Sequence, residues 1–195
     1  MKIVLYIIGC VVIFLLIINY LRKLHLDAIH FNFLELADSI GGQVIRRGIL
    51  SRPVYHGAYK SIELTINFSS ERSQKKRRQY LDISMAKNAT YNITISTQDW
   101  ITDRNEESSS DFEPLEIPGD VNYVILKPEN VTYVKKINQN KFIECIKDLT
   151  PFTYIYIGKN GILYERECDN IAQCTKLPKL RNTIDLIFEL SKTLQ

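Results

Sequence analysis

Apolar residues run almost unbroken from Ile3 to Leu21, interrupted only by Gly9, Cys10 and Asn19. These 19 residues would rise about 28 Å as a helix, close to the hydrocarbon thickness of a bilayer. The stretch therefore predicts a membrane-spanning helix, closed by the charged pair Arg22-Lys23. Within it, Ile7-Ile8-Gly9-Cys10 has the look of a lipoprotein cleavage site. A cleaved signal turns polar soon after its apolar core, whereas here the run passes straight through Cys10. The segment reads as a retained anchor spanning residues 1–23.

Beyond it the periodicity changes. Phe33, Leu36, Ala37 and Ile40 repeat at helical spacing and then meet Gly41-Gly42, a C-terminal stop. In the next stretch Ile62, Leu64, Ile66 and Phe68 alternate with Ser61, Glu63, Thr65 and Asn67, the period of a strand with one buried and one wet face. Residues 42–49 and 53–59 look extended as well, and two more alternating runs, 77–87 and 90–97, follow with Lys87-Asn88-Ala89 as the turn between them. Successive antiparallel strands of this kind make a meander.

Residues 102–116 are acidic, Ser-rich and aperiodic, which predicts a flexible connection. After it, residues 121–137 are ambiguous between a strand and short helices, with Pro128-Glu129 able to open a helix. Phe142, Ile146 and Leu149 share a helical face, and Cys145 falls in the same apolar pattern. Residues 152–167 form a hairpin pattern around Asn160-Gly161, a favoured two-residue turn. Leu180, Ile184, Ile187, Phe188 and Leu194 then line an amphipathic helix that would close the sheet. The fold class is α+β: one domain over residues 27–195, with helices covering one face of an antiparallel sheet.

Charge changes the picture little. The chain has 25 basic and 22 acidic residues, and Lys2, Arg22 and Lys23 flank the anchor, so the remainder balances at 22 against 22. The basic balance is thus a membrane-flank effect, and nucleic acid is not an expected partner. The same flanks nearly tie as topology signals.

Candidate chemistry is sparse. His25, His30 and His56 have no ligand-spaced neighbours, so no metal is expected. The sequence shows no phosphate-binding glycine loop and no nucleophile elbow, and neither a cofactor nor a set of catalytic residues is expected. Acids such as Asp82 or Glu63 with Glu165 cannot be set opposite one another from sequence alone. Cys168 and Cys174 are spaced for a local disulfide if the domain is exported, and otherwise read as two free thiols. N-x-S/T sequons at Asn67, Asn88, Asn92 and Asn130 carry meaning only in a secretory compartment.

One run stands out. Arg72, Lys75, Lys76, Arg77 and Arg78 crowd the junction between two strands. A solvated loop that blunts edge pairing is the plain reading. The functional one is contact with anionic lipid headgroups or an acidic protein partner, since a tethered domain already sits at the membrane surface. These features predict a single-pass, non-catalytic binding or assembly module at the membrane, its domain on the cytoplasmic side where anionic lipid is available. The alternative is a tethered enzyme acting on a lipid or envelope substrate. A cleft with convergent acids would favour the enzyme.

Overall fold

A computed structural model of the chain describes residues 2–72, 77–89, 92–103, 113–117, 121–126 and 139–193. Its first element, α1 (Lys2–Ile40), is one unbroken helix of 39 residues. No Gly or Pro interrupts the chain between Arg22 and Ile40, so the apolar anchor pattern and the amphipathic pattern after it share one helix. Its two halves meet different surroundings. Described side chains from Ile3 to Leu24 are exposed, whereas Leu26, Ile29, Phe33 and Leu36 are buried in the domain core. Among the described residues, α1 is the helix long and apolar enough to cross a membrane, and it fits membrane anchoring.

The helix ends where the glycine pair stands. The Gly41 amide bonds the Ala37 carbonyl at 2.8 Å, and Gly41 and Gly42 take φ of +81° and +106°. Such angles are open to glycine and strained for other residues. The chain then reverses into β1 (Gln43–Ile45), β2 (Val54–Tyr59), β3 (Ile62–Arg72) and β4 (Arg77–Met85), each antiparallel to the one before.

The next strand breaks the meander. β5 (Ile93–Thr97) does not pair with β4, so Lys87–Ala89 is not a hairpin turn but the start of a crossing connection. The C-terminal hairpin, β8 (Tyr154–Gly158) and β9 (Gly161–Glu167), is inserted between them. With β6 (Glu113–Leu115) and β7 (Tyr123–Leu126), the result is a nine-stranded sheet in the order β1-β2-β3-β4-β9-β8-β5-β7-β6. β6 falls inside the segment read as a flexible acidic linker, and β7 makes the first part of the ambiguous stretch after it a strand, the rest of that stretch lying outside the described residues. Pro128-Glu129, Asn130, Leu194 and most of the acidic segment lie outside the described residues.

Register fixes the two faces. Leu64, Ile66 and Phe68 of β3, Leu81, Ile83 and Met85 of β4, and Ile162 and Tyr164 of β9 are buried on one face. Over them lie the lower half of α1 and the helices α3 (Gln139–Asp148), α4 (Ile171–Cys174) and α5 (Leu177–Lys192). The α5 face that packs is Leu180, Ile184, Ile187 and Leu190, with Phe188 half-buried beside it. The helix pair α1 and α4 is pinned by Asn32, whose amide donates to the Ala172 carbonyl at 2.8 Å and the Thr175 hydroxyl at 2.9 Å. The other face is mostly polar, except where α2 (Gln98–Asp103) stacks Trp100 on Tyr154 at 4.4 Å.

Cys168, just past β9, is joined to Cys174 in a disulfide that closes over α4, while Cys10 and Cys145 are free. The plain expectation of two free thiols is therefore not what the structure holds. Alkylating the denatured, unreduced protein should modify two cysteines, and reduction beforehand should raise that to all four. Four modified residues without reduction would contradict the bond.

Candidate functional site at the sheet end nearest the apolar half of α1

Strand directions bring the notable groups to one end. α1 enters the domain from its exposed apolar half and ends at Gly41-Gly42, so β1 runs back toward that half. Asp27, early in the packed half of α1, reaches Arg46 just beyond β1, with Oδ1 and Nη1 2.6 Å apart. The start of β2, the end of β3, the start of β4, the end of β9 and the start of β8 all lie at that end of the sheet, with the β3–β4 tip running past the start of β2. The free end of this edge therefore points along α1 toward its exposed apolar half.

The basic run lies there. Arg72 closes β3 and pairs with Arg77, the first residue of β4. The Arg77 guanidinium donates to the Ser70 hydroxyl at 2.8 Å. Arg78 instead reaches across to Glu167 on β9, 3.9 Å away. Lys75 and Lys76 lie outside the described residues. Of the five residues singled out in the sequence, Arg78 is thus drawn toward a neighbouring cleft.

That cleft, of about 210 Å³, sits at the same end. Arg78, Arg166, Asp99 and Glu167 bring charges to it, and Tyr123, Phe152 and Thr153 are among its walls. Its shape comes from the segment before β8. There the Thr153 hydroxyl accepts from the Glu167 amide at 3.0 Å, and the Phe152 amide donates to the Tyr123 hydroxyl at 3.4 Å. Burial pushes the Tyr123 phenol above its ordinary value, away from proton exchange near neutrality. Mixed charge in a small half-open cleft suits binding of a polar group better than acid-base chemistry.

The acids that sequence could not pair are paired, but elsewhere. Asp82 on β4 stands directly opposite Glu165 on β9, on the sheet's polar face. Desolvation first, and then the Glu165 charge, push the Asp82 carboxyl up to about 7. Glu63 lies apart on β3, opposite Ala58. Neither Asp82 nor Glu165 lines the cleft, so the shifted acid and the cavity do not combine into one site. His56 sits on β2, its Nδ1 3.2 Å from the Thr65 hydroxyl. Among the described residues no three His, Cys, Asp or Glu side chains gather as metal ligands would.

Comparison with known proteins finds a likeness in fold. No protein-family model and no curated protein sequence matches the chain. Among solved structures, the crystal structure of the mycobacterial trehalose monomycolate transport factor A, TtfA, superposes with a TM-score of 0.52 at 10% identity. The match covers 86% of this chain and 95% of that one, so the shared α+β architecture extends over nearly the whole of both.

Proposed function

We propose that the chain is a single-pass, membrane-anchored, non-catalytic module that binds or assembles partners at the bilayer surface, in a process related to lipid transport. The observation that carries this reading is the convergence of the basic run and the charged cleft at the sheet end facing the anchored half of α1. A helix continuous from anchor to core holds that end at a set distance from the membrane. The fold likeness to a factor named for trehalose monomycolate transport supports a lipid-related role. The enzyme reading is weaker, because the carboxyl with the raised pKa lies outside the cleft.

The basic end would engage anionic headgroups or an acidic partner, with each exposed Lys or Arg contributing about 1 kcal/mol near an anionic surface. A fragment starting at Leu24 keeps every buried position of α1. Once its cooperative melt is verified, it should co-sediment with anionic vesicles at low salt, ignore neutral ones, and release as salt screens the contact. Changing Lys75, Lys76, Arg77 and Arg78 to Ser should remove most of the anionic preference. Equal binding by both proteins would take the basic run out of the function.

For the side of the membrane, the basic run and the disulfide pull in opposite directions. A basic surface needs only an acidic partner, whereas a structural disulfide persists where the compartment is oxidising. The Cys168–Cys174 bond therefore favours an exported domain over the cytoplasmic one expected from sequence. A reporter fused after Gln195 that is active outside the cytoplasm would agree with export. Activity confined to the cytoplasm would restore the sequence expectation.

A further inference from the structure

We propose that the loop joining β1 to β2, residues Arg46 to Ser51, is a preformed membrane-contacting element that dips Ile49 and Leu50 into the headgroup region of the bilayer holding α1. The inference rests on α1 spanning that bilayer.

The loop exposes what a soluble surface usually hides. Ile49 is 68% exposed and Leu50 38%, and the exposed Arg47 and Arg52 flank them. Yet this is an internally bonded loop. The Arg46 side chain is only 13% exposed, and its guanidinium is clamped to Asp27 at 2.6 Å. It also donates to the Gly48 carbonyl at 3.1 Å, the Ser51 carbonyl at 3.2 Å and the Ile49 carbonyl. A turn bond from the Ser51 amide to the Gly48 carbonyl, 3.0 Å long, closes the loop. One arginine thus takes up the carbonyls that would otherwise turn to water, and the apolar pair is left outside. Holding two aliphatic side chains outward in this way gains nothing in water, where their burial would be favourable.

Position identifies the occupant. Arg46 is level with Asp27, and Asp27 lies four residues past Lys23, the end of the charged stop, or about 6 Å along the helix. The interfacial layer outside the hydrocarbon is about 5–7 Å deep on each side. A loop extending outward from that level reaches the layer, its arginines suited to phosphate and its aliphatic pair to the acyl boundary. A lateral protein partner would need no such alignment with the anchor. The loop also lies at the same sheet end as the basic run, and the Arg52 guanidinium ties it to β3 by donating to the Phe68 carbonyl at 3.2 Å.

The test uses the full chain reconstituted in nanodiscs with and without brominated acyl chains, which quench nearby tryptophan. Trp100, the sole native tryptophan, sets the baseline in every protein. Three variants each add one tryptophan: Ile49→Trp in the loop, Phe14→Trp in the anchor, and Lys159→Trp at the exposed β8–β9 turn on the opposite end of the sheet. Phe14→Trp should be quenched strongly. Ile49→Trp should show blue-shifted emission and exceed the quenching of Lys159→Trp by about threefold or more, as an interfacial residue should. Quenching of Ile49→Trp equal to that of Lys159→Trp, with Phe14→Trp quenched, would overturn the loop's role and leave the anchor intact. Loss of quenching at Phe14→Trp would overturn both.

Discussion

Phe33→Ala should destabilise the soluble domain by about 3–5 kcal/mol, the usual cost of emptying a fully buried aromatic site. Phe33 is 0% exposed and sits on the same helix that carries the anchor. Its neighbours Ile29 and Leu36 are equally enclosed, so surrounding side chains have little freedom to collapse into the space. Unfolding of the full chain in micelles, followed by Trp100 fluorescence, gives the measurement. Phe31→Ala provides the control, because Phe31 is 63% exposed on the opposite side of α1. Its loss should cost little in the same assay. A Phe33→Ala protein as stable as the parent would mean that α1 rests on the sheet without forming part of the core, and the rigid link from the apolar half of α1 to the cleft would be lost with it.

This dual use of α1 also shows what sequence could and could not reveal. The apolar half was legible because its apolar residues are continuous. The packed half was legible only from Phe33 on, since Leu26 and Ile29 fall among His25, Asp27 and His30, where charge hides a helical stripe. Strands β3, β4 and β5 followed from alternation, β2 from its extended look, and β8 and β9 from the hairpin pattern around Asn160-Gly161. The insertion of β8 and β9 between β4 and β5 left no local mark, because neighbours in a sheet are chosen by long-range packing. The same holds for the site. A basic run is visible as composition, but a cleft assembled from β4, β5, β9 and the segment before β8 exists only after the sheet has formed. Arg46 carried a faint signal as the first of two arginines before Gly48, Ile49 and Leu50; its four oxygen partners could not be read from that.

Asp82→Asn should stabilise the protein at pH 8 by about 1 kcal/mol, the scale of like charges set directly opposite on paired strands. For a domain of this size that is a rise in Tm of about 2–4 °C. The sign follows from the raised pKa of about 7, caused by desolvation and then by Glu165, with Glu71 adding to it and Ser69 and Arg52 opposing it. An unfolded aspartate loses its proton near the ordinary value of 3.8. Between that pH and about 7 the folded protein holds a proton that the unfolded chain has released, so stability falls as pH rises. Below this window both states are protonated and the penalty is absent; above it both are ionised and the penalty is complete. Thermal melts of parent and variant should therefore coincide near pH 4 and separate progressively toward pH 8. Parallel curves across that range would mean that Asp82 ionises normally. The variant also separates this pair from the cleft. Asp82 does not line the cleft, so Asp82→Asn should leave binding to anionic vesicles unchanged while it flattens the pH profile. A change in vesicle binding would instead draw the carboxylate pair into the function.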